Sequence, residues 1–352
     1  MSGMRLLGRL FFCAVCLGVI PTMFAQDSNT PPSSPSPSLP PSAPPTRLIK
    51  EDRDREILKV QTQAHDLLYS GDYDKLEKTE EELRTSKSRF PSGLYKVSSF
   101  YEGLAAPWGG KDEQLNGPTN DSLQKHFQKL DAWKKAKPDS MLADIILANT
   151  LSDFVSDDDA IKKARTILDK VYADHQGKNI PPIWYYVLLH LAYHQGWSHK
   201  DYDRWFEEAI TVDPEYHDFY FAKAYYLLPS QYGTEGDLEK FAEESGEKYS
   251  PEMYARIYWS VDFVYTAEKF FPASHANWAL MKAGFEDMVN HWPTSAWDMN
   301  AYCHFACLAQ DKETAKKLFE QLHEKYYPRI WGSLETFQKY EDWASDKTPE
   351  KK

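Results

Sequence analysis

Beyond residue 47, apolar side chains recur every three or four positions, and proline or glycine cuts the recurrence at short intervals. That period puts one apolar stripe on an α-helix, whereas a half-buried strand alternates at every second residue. No run of alternating β-branched residues stands out along the chain. The breaks predict helices over 48–69, 72–89, 93–106, 119–137, 139–155, 157–174, 182–195, 199–212, 215–228, 235–248, 251–270, 275–292, 295–309 and 311–326, with a last short one over 333–344. The fold class expected is all-α.

Local chemistry marks several ends. Asp157, Asp158 and Asp159 put carboxylates where a helix N-terminus favours negative charge. Ser250-Pro251-Glu252 reads as a capping serine before a first-turn proline. Phe90-Pro91, Phe271-Pro272 and Trp292-Pro293 each read as a helix end, because proline cannot continue the ladder.

The clearest unit runs from Ile183 to Tyr216. One helix carries Tyr186, Leu189 and Tyr193, a second carries Phe206 and Ala209, and Asp213-Pro214 stops it. Such a pair cannot bury its apolar face alone and has to stack on others. Residues 183–216 resemble a tetratricopeptide repeat through Tyr186, Leu189, Tyr193, Phe206, Ala209 and Pro214, departing at His190 and Tyr202. Residues 57–90 resemble one through Ala64, Leu67, Gly71 and Leu83, with Glu80 where an aromatic belongs. Residues 296–325 do so through Ala306, Ala315 and Phe319, with Cys303 in the small site. The resemblance implies an array of antiparallel helix pairs, an α–α superhelix with degenerate repeats. From Gly196-Trp197 through Asp213-Pro214-Glu215-Tyr216, Leu227-Leu228-Pro229, Tyr232-Gly233 and on to Trp331, the chain also looks like a bacterial helical-repeat family recorded only as a domain of unknown function. That resemblance implies a helical body and no activity.

The N-terminus reads differently. Arg5 and Arg9 precede an apolar run from Leu10 to Ile20, too short to span a bilayer comfortably, so residues 1–25 read as a signal peptide. Retention of this segment as an inner-membrane tether is the alternative. Residues 26–47 are rich in proline and serine and read as a disordered, extended spacer. The expected organisation is a leader, this spacer, a helical body over 48–345 and a disordered tail over 346–352. Export, to the periplasm or outside the cell, follows from the leader.

Charge narrows the partners. Outside residues 1–25 there are 39 basic against 53 acidic side chains. An acidic body disfavours nucleic acid, whose binding rests on phosphate neutralisation, and docking on anionic lipid. A protein, a peptide or another envelope component remains, with no membrane span expected once the signal is cut and no oligomeric state implied.

Catalytic signals are sparse. His190 and His194 stand four apart on one helix, with His199 and Asp201 nearby, a weak metal pattern that lacks the glutamate of a metalloprotease helix. Cys303 and Cys307 flank His304 and Phe305 on a helix and read as buried small hydrophobes. No phosphate loop and no Gly-x-Ser-x-Gly elbow occurs. Glu207-Glu208 and Glu243-Glu244 read as solvated faces, since adjacent helical residues diverge. Phe, Trp and Tyr make up 14% of the chain, enough to furnish both core and a recognition groove. The aromatics expected at such a groove are Trp197, Trp205, Tyr216, Tyr220 and Tyr232, which fall near helix ends. The expectation is a non-catalytic scaffold without a cofactor. The alternatives are a metal-dependent or glycan-acting hydrolase around His190, His194 and His199, and a self-associating structural envelope protein.

Overall fold

The computed structural model describes residues 52–108, 118–322 and 325–346. The expected signal peptide and spacer, and the tail beyond Asp346, lie outside the described residues. Within them the chain is helical, with no strand and a single isolated bridge pair between Arg89 and Tyr95.

In chain order the α-helices begin with α1 (Asp52–Ser70), α2 (Tyr73–Thr85), α3 (Lys96–Ala105), α4 (Asn120–Ala136) and α5 (Met141–Thr150). A π-helical turn, Leu151–Val155, extends α5. There follow α6 (Asp158–Asp174), α7 (Pro182–Gln195), α8 (His199–Val212), α9 (His217–Tyr226), α10 (Asp237–Lys248) and α11 (Pro251–Ser260). The last are α12 (Phe270–Ser274), α13 (Trp278–His291), α14 (Ala296–Leu308), α15 (Lys312–Leu322), α16 (Pro328–Trp331) and α17 (Leu334–Ala344).

Several boundaries differ from the expectation, each for a local reason. The helix expected over 251–270 stops at Ser260; two 3₁₀ turns carry the chain to α12. Val261, Val264 and Thr266 are β-branched and weaken helix there. Pro272 lies inside α12 and not beyond a helix end, at a first-turn position where no donor is needed. α2 ends at Thr85, four residues short of 89, and α15 ends at Leu322, not 326. Ser250 precedes α11 but makes no side-chain cap; the amide of Glu252 is taken by Asp287 Oδ2 at 3.2 Å. Asp157 does cap α6, accepting from the Ala160 amide at 2.7 Å.

Helices touch in a regular order. Each odd-numbered helix from α1 to α13 contacts the next odd one. The even helices α2, α6, α8 and α10 each contact both neighbours in sequence. Two of these crossings are close because a glycine sits at them. A Cβ on Gly103 of α3 would fall 2.3 Å from the Gln61 carbonyl oxygen of α1, and one on Gly284 of α13 would fall 2.4 Å from the Pro251 carbonyl oxygen of α11. The helices between pack through aromatic rings. Trp184, Tyr185, Tyr202, Tyr216, Tyr220 and Tyr226 are all buried.

One segment crosses this order. The turn over 86–95, between α2 and α3, reaches residues far along the chain. Lys87 Nζ lies 3.1 Å from Asp213 Oδ1, and Arg89 Nη2 lies 2.9 Å from Glu215 Oε2. Arg256 of α11 donates to the Ser92 carbonyl at 2.7 Å. Arg89 also covers the Tyr95 ring at 4.0 Å and approaches Trp292 at 5.8 Å. The start of α3 is thereby held against the start of α9.

Candidate functional site

Because α3 meets α9, the helices α3, α5, α7 and α9 surround a small cleft. Its floor is buried and includes Tyr101, Asn149, Ile183 and Tyr216. Its rim is half-buried and includes Ser98, Glu102, Asp153, Tyr186 and Asp218. The cavity volume is about 30 Å³, room for about two water-sized groups.

The polar groups arrive on several elements. Asp153 is carried by the π-helical turn, where one extra residue per turn shifts the side chain off the α-helical face. Ser156 closes that turn in the left-handed region, at φ 48°. Glu102, on α3, accepts from Gln61 Nε2 of α1 at 2.8 Å. Asp218, in the first turn of α9, faces the hydroxyls of Ser98 and Tyr216. Burial pushes the Asp218 carboxyl above its usual range, and those two hydroxyls oppose the shift only in part. Asn149, on α5, is 4% exposed, and its Oδ1 has no hydrogen-bond partner among the described residues. An amide oxygen so placed costs about 1–3 kcal/mol unless something satisfies it.

Behind the rim, Asp153 meets the histidine pair. His190 Nδ1 lies 2.8 Å from Asp153 Oδ1, close in distance although outside hydrogen-bond alignment. His190 Nε2 lies 3.2 Å from His194 Nε2. The Tyr186 ring stacks on His190 with centroids 6.4 Å apart. His199 does not join them: its Nε2 contacts the Tyr232 carbonyl at 2.7 Å.

No family model, curated protein or solved structure matches this chain. The site therefore has to be read from its own residues.

The five expected groove aromatics do not gather on one surface. Tyr216 is buried and reaches the cleft floor, and Tyr220 is buried between Phe206 and Phe241. Trp197 packs under the Arg165 guanidinium at 4.6 Å, and Trp205 belongs to a ring cluster with Tyr172 and Trp184. Tyr232, 37% exposed, stacks on Tyr226. Cys303 and Cys307 are buried free thiols, and burial raises the Cys303 thiol well above its usual range. The residues that sequence reasoning missed are Ser98, Glu102, Asn149, Asp153 and Asp218. They are scattered over four elements with no shared spacing. The one local hint is at Asp153, where the π turn interrupts a helical period.

A second cluster lies where α11 crosses α13. Glu252, Asp287 and His291 are the one group among the described residues whose ligand atoms lie mutually within 4.8 Å. Arg256 Nε, 3.0 Å from Glu252 Oε1, already occupies this corner, and His217 Nε2 is 3.6 Å away. Burial alone would raise the Glu252 carboxyl; the His217 contact and the Arg256 charge outweigh it and hold the carboxyl at about 2. A bound cation would have to compete with a guanidinium beside it. The cluster reads as a buried ion pair that fastens α11 to the 86–95 turn.

Proposed function

We propose that this chain is an exported, non-catalytic scaffold of the cell envelope, built of tetratricopeptide-like antiparallel helix pairs and binding a protein or peptide. The order of helix contacts supports the array: odd helices stack in succession, and most even helices bridge their neighbours. The departures from the repeat have structural partners. His190, where a small residue is usual, faces Asp153, and Tyr202 stacks on Tyr226 with centroids 4.0 Å apart.

The observation that carries a binding role is the cleft. Four elements converge on it and three carboxylates wall it, yet Asn149 Oδ1 has no partner. A site with unsatisfied buried acceptors is completed by a ligand's donors. The cleft admits a side chain, not a backbone segment, so a peptide would insert one residue and lie across the rim.

The test is recovery of an envelope partner with the full chain as bait, followed by titration with that purified partner. Saturable binding that weakens at least tenfold in Tyr186→Ala is the expected outcome. Binding of nothing saturable, together with turnover of a glycan or ester substrate, would sink the scaffold.

The hydrolase reading keeps one supporting feature. Two nitrogen ligands of one tetrahedral zinc lie about 3.3 Å apart, close to the 3.2 Å between His190 Nε2 and His194 Nε2. Asp153 behind His190 has the place of an outer-shell carboxylate. Stoichiometric zinc in purified protein, lost in His190→Ala, would favour that reading.

A further inference from the structure

We infer that the cleft between α3, α5, α7 and α9 receives a primary alkylammonium group, with Asn149 Oδ1 as an acceptor and the carboxylates of Asp218, Asp153 and Glu102 supplying negative charge around it. This rests on the binding reading above and names the chemistry of its ligand.

Three observations point the same way. Among the described residues, none that lines the cleft is basic and three are acidic. Asn149 contributes an acceptor that is buried and unpartnered, so a group rich in donors is needed. An ammonium has three donors and no acceptor, which suits a wall that carries three carboxylates, the Asn149 amide oxygen and hydroxyls able to accept. Asp218 adds to this. The hydroxyls of Ser98 and Tyr216 lie near it, and no lysine or arginine forms an ion pair with it among the described residues. A desolvated carboxylate of that kind gains most from an incoming cation.

Size and walls decide which cation. A volume of about 30 Å³ takes an ammonium and the methylene that bears it. A guanidinium, planar and with four heavy atoms, fits that space less well. The rings of Tyr186 and Tyr216 border the space and present π faces or edges to the methylene and the charge. Metal ions fit less well, because hard divalent cations want six or more oxygens or retained water in a larger shell. The formal charge of −12 draws cations to the molecule at long range but does not place them in the cleft.

Two sources offer this group: the lysine side chain of a partner, and a free amine such as a diamine. The experiment uses the full chain and isothermal titration with four probes. They are a blocked Gly-Lys-Gly peptide, its norleucine counterpart, its arginine counterpart and putrescine. Saturable binding of the lysine peptide, with the norleucine and arginine peptides at least tenfold weaker, is the expected result. Asn149→Leu should weaken the lysine peptide at least tenfold. Should that buried change disturb folding, judged by circular dichroism, Asp153→Asn on the rim serves, with a loss of at least fivefold. Putrescine binding more tightly than the lysine peptide would make a free amine the ligand; the reverse would make it a partner's side chain. Equal binding of the lysine and norleucine peptides, or unchanged lysine-peptide affinity in both variants, would overturn the inference. An envelope partner captured by the chain but indifferent to Asp153→Asn would overturn it while leaving the scaffold standing.

Discussion

At the scale of single residues, burial sets the protonation of several groups. His304 lies among Phe305, Trp331 and Tyr340, and burial drops its imidazole to about 4 from an ordinary 6.5. A depressed histidine is held neutral in the folded state, while the unfolded chain takes up the proton. Its contribution is therefore present above pH 6.5 and is lost as pH falls towards 4. His304→Phe removes that penalty. Urea unfolding of both proteins should show the variant gaining about 2 kcal/mol on the parent between pH 7.5 and pH 5. Other groups titrate in both proteins and cancel in the difference. An unchanged difference across that range would mean that the imidazole is solvated. The helical stripe locates His304 beside a buried face; its ring cage comes from α16 and α17, which no local spacing reveals.

At the scale of helices, most of the architecture was legible. The ends of α7 at Gln195 and α8 at Val212 coincide with those expected from Gly196 and Asp213-Pro214. Left-handed glycine and a proline stop act within a few residues, so sequence reports them directly. Less legible were ends governed by distant contacts. α2 stops at Thr85 because residues 86–95 are claimed by Asp213, Glu215 and Arg256, more than a hundred positions away. Helix crossings were equally hidden. Gly103 looks like a weak point in a helix, yet it lets α1 and α3 approach. Alanine there favours helix by about 1 kcal/mol, but its Cβ meets backbone that has nowhere to go. Overpacking of this kind costs about 1–3 kcal/mol. Gly103→Ala should therefore lower the urea midpoint; a raised midpoint would show that α1 slides freely on α3.

At the scale of the whole molecule, the 86–95 turn changes the physics of an array. Stacked pairs that touch only their neighbours unfold piecewise. Here the turn fastens α2 and α3 to the α8–α9 junction and to α11. Its exposed pair, Arg89 with Glu215, contributes at most about 1 kcal/mol. The buried Arg256 contributes more, because removing it leaves the buried Glu252 carboxylate with His217 as a remaining close partner, at a cost of up to about 3–5 kcal/mol. Arg256→Met should bring the unfolding of helix and of tryptophan environment apart, whereas the parent is expected to unfold in one coincident transition by circular dichroism and fluorescence. A variant that still unfolds in one step, at the parent midpoint, would remove the turn from its place as a clasp.

Sequence by itself determined that the described body is helical and placed most of its helices, because period, caps and stops are properties of neighbouring residues. It also determined an acidic surface. Only the tertiary structure decided what the polar residues face. Asn149, Asp153 and Asp218 are unremarkable where they stand in the chain, and they become a site because the starts of α3 and α9 are brought together. Of the aromatics expected at a groove, packing between helices buried Tyr220 and put Tyr216 on the cleft floor. Burial and convergence depend on contacts between residues distant in the chain, and local pattern carries no record of those.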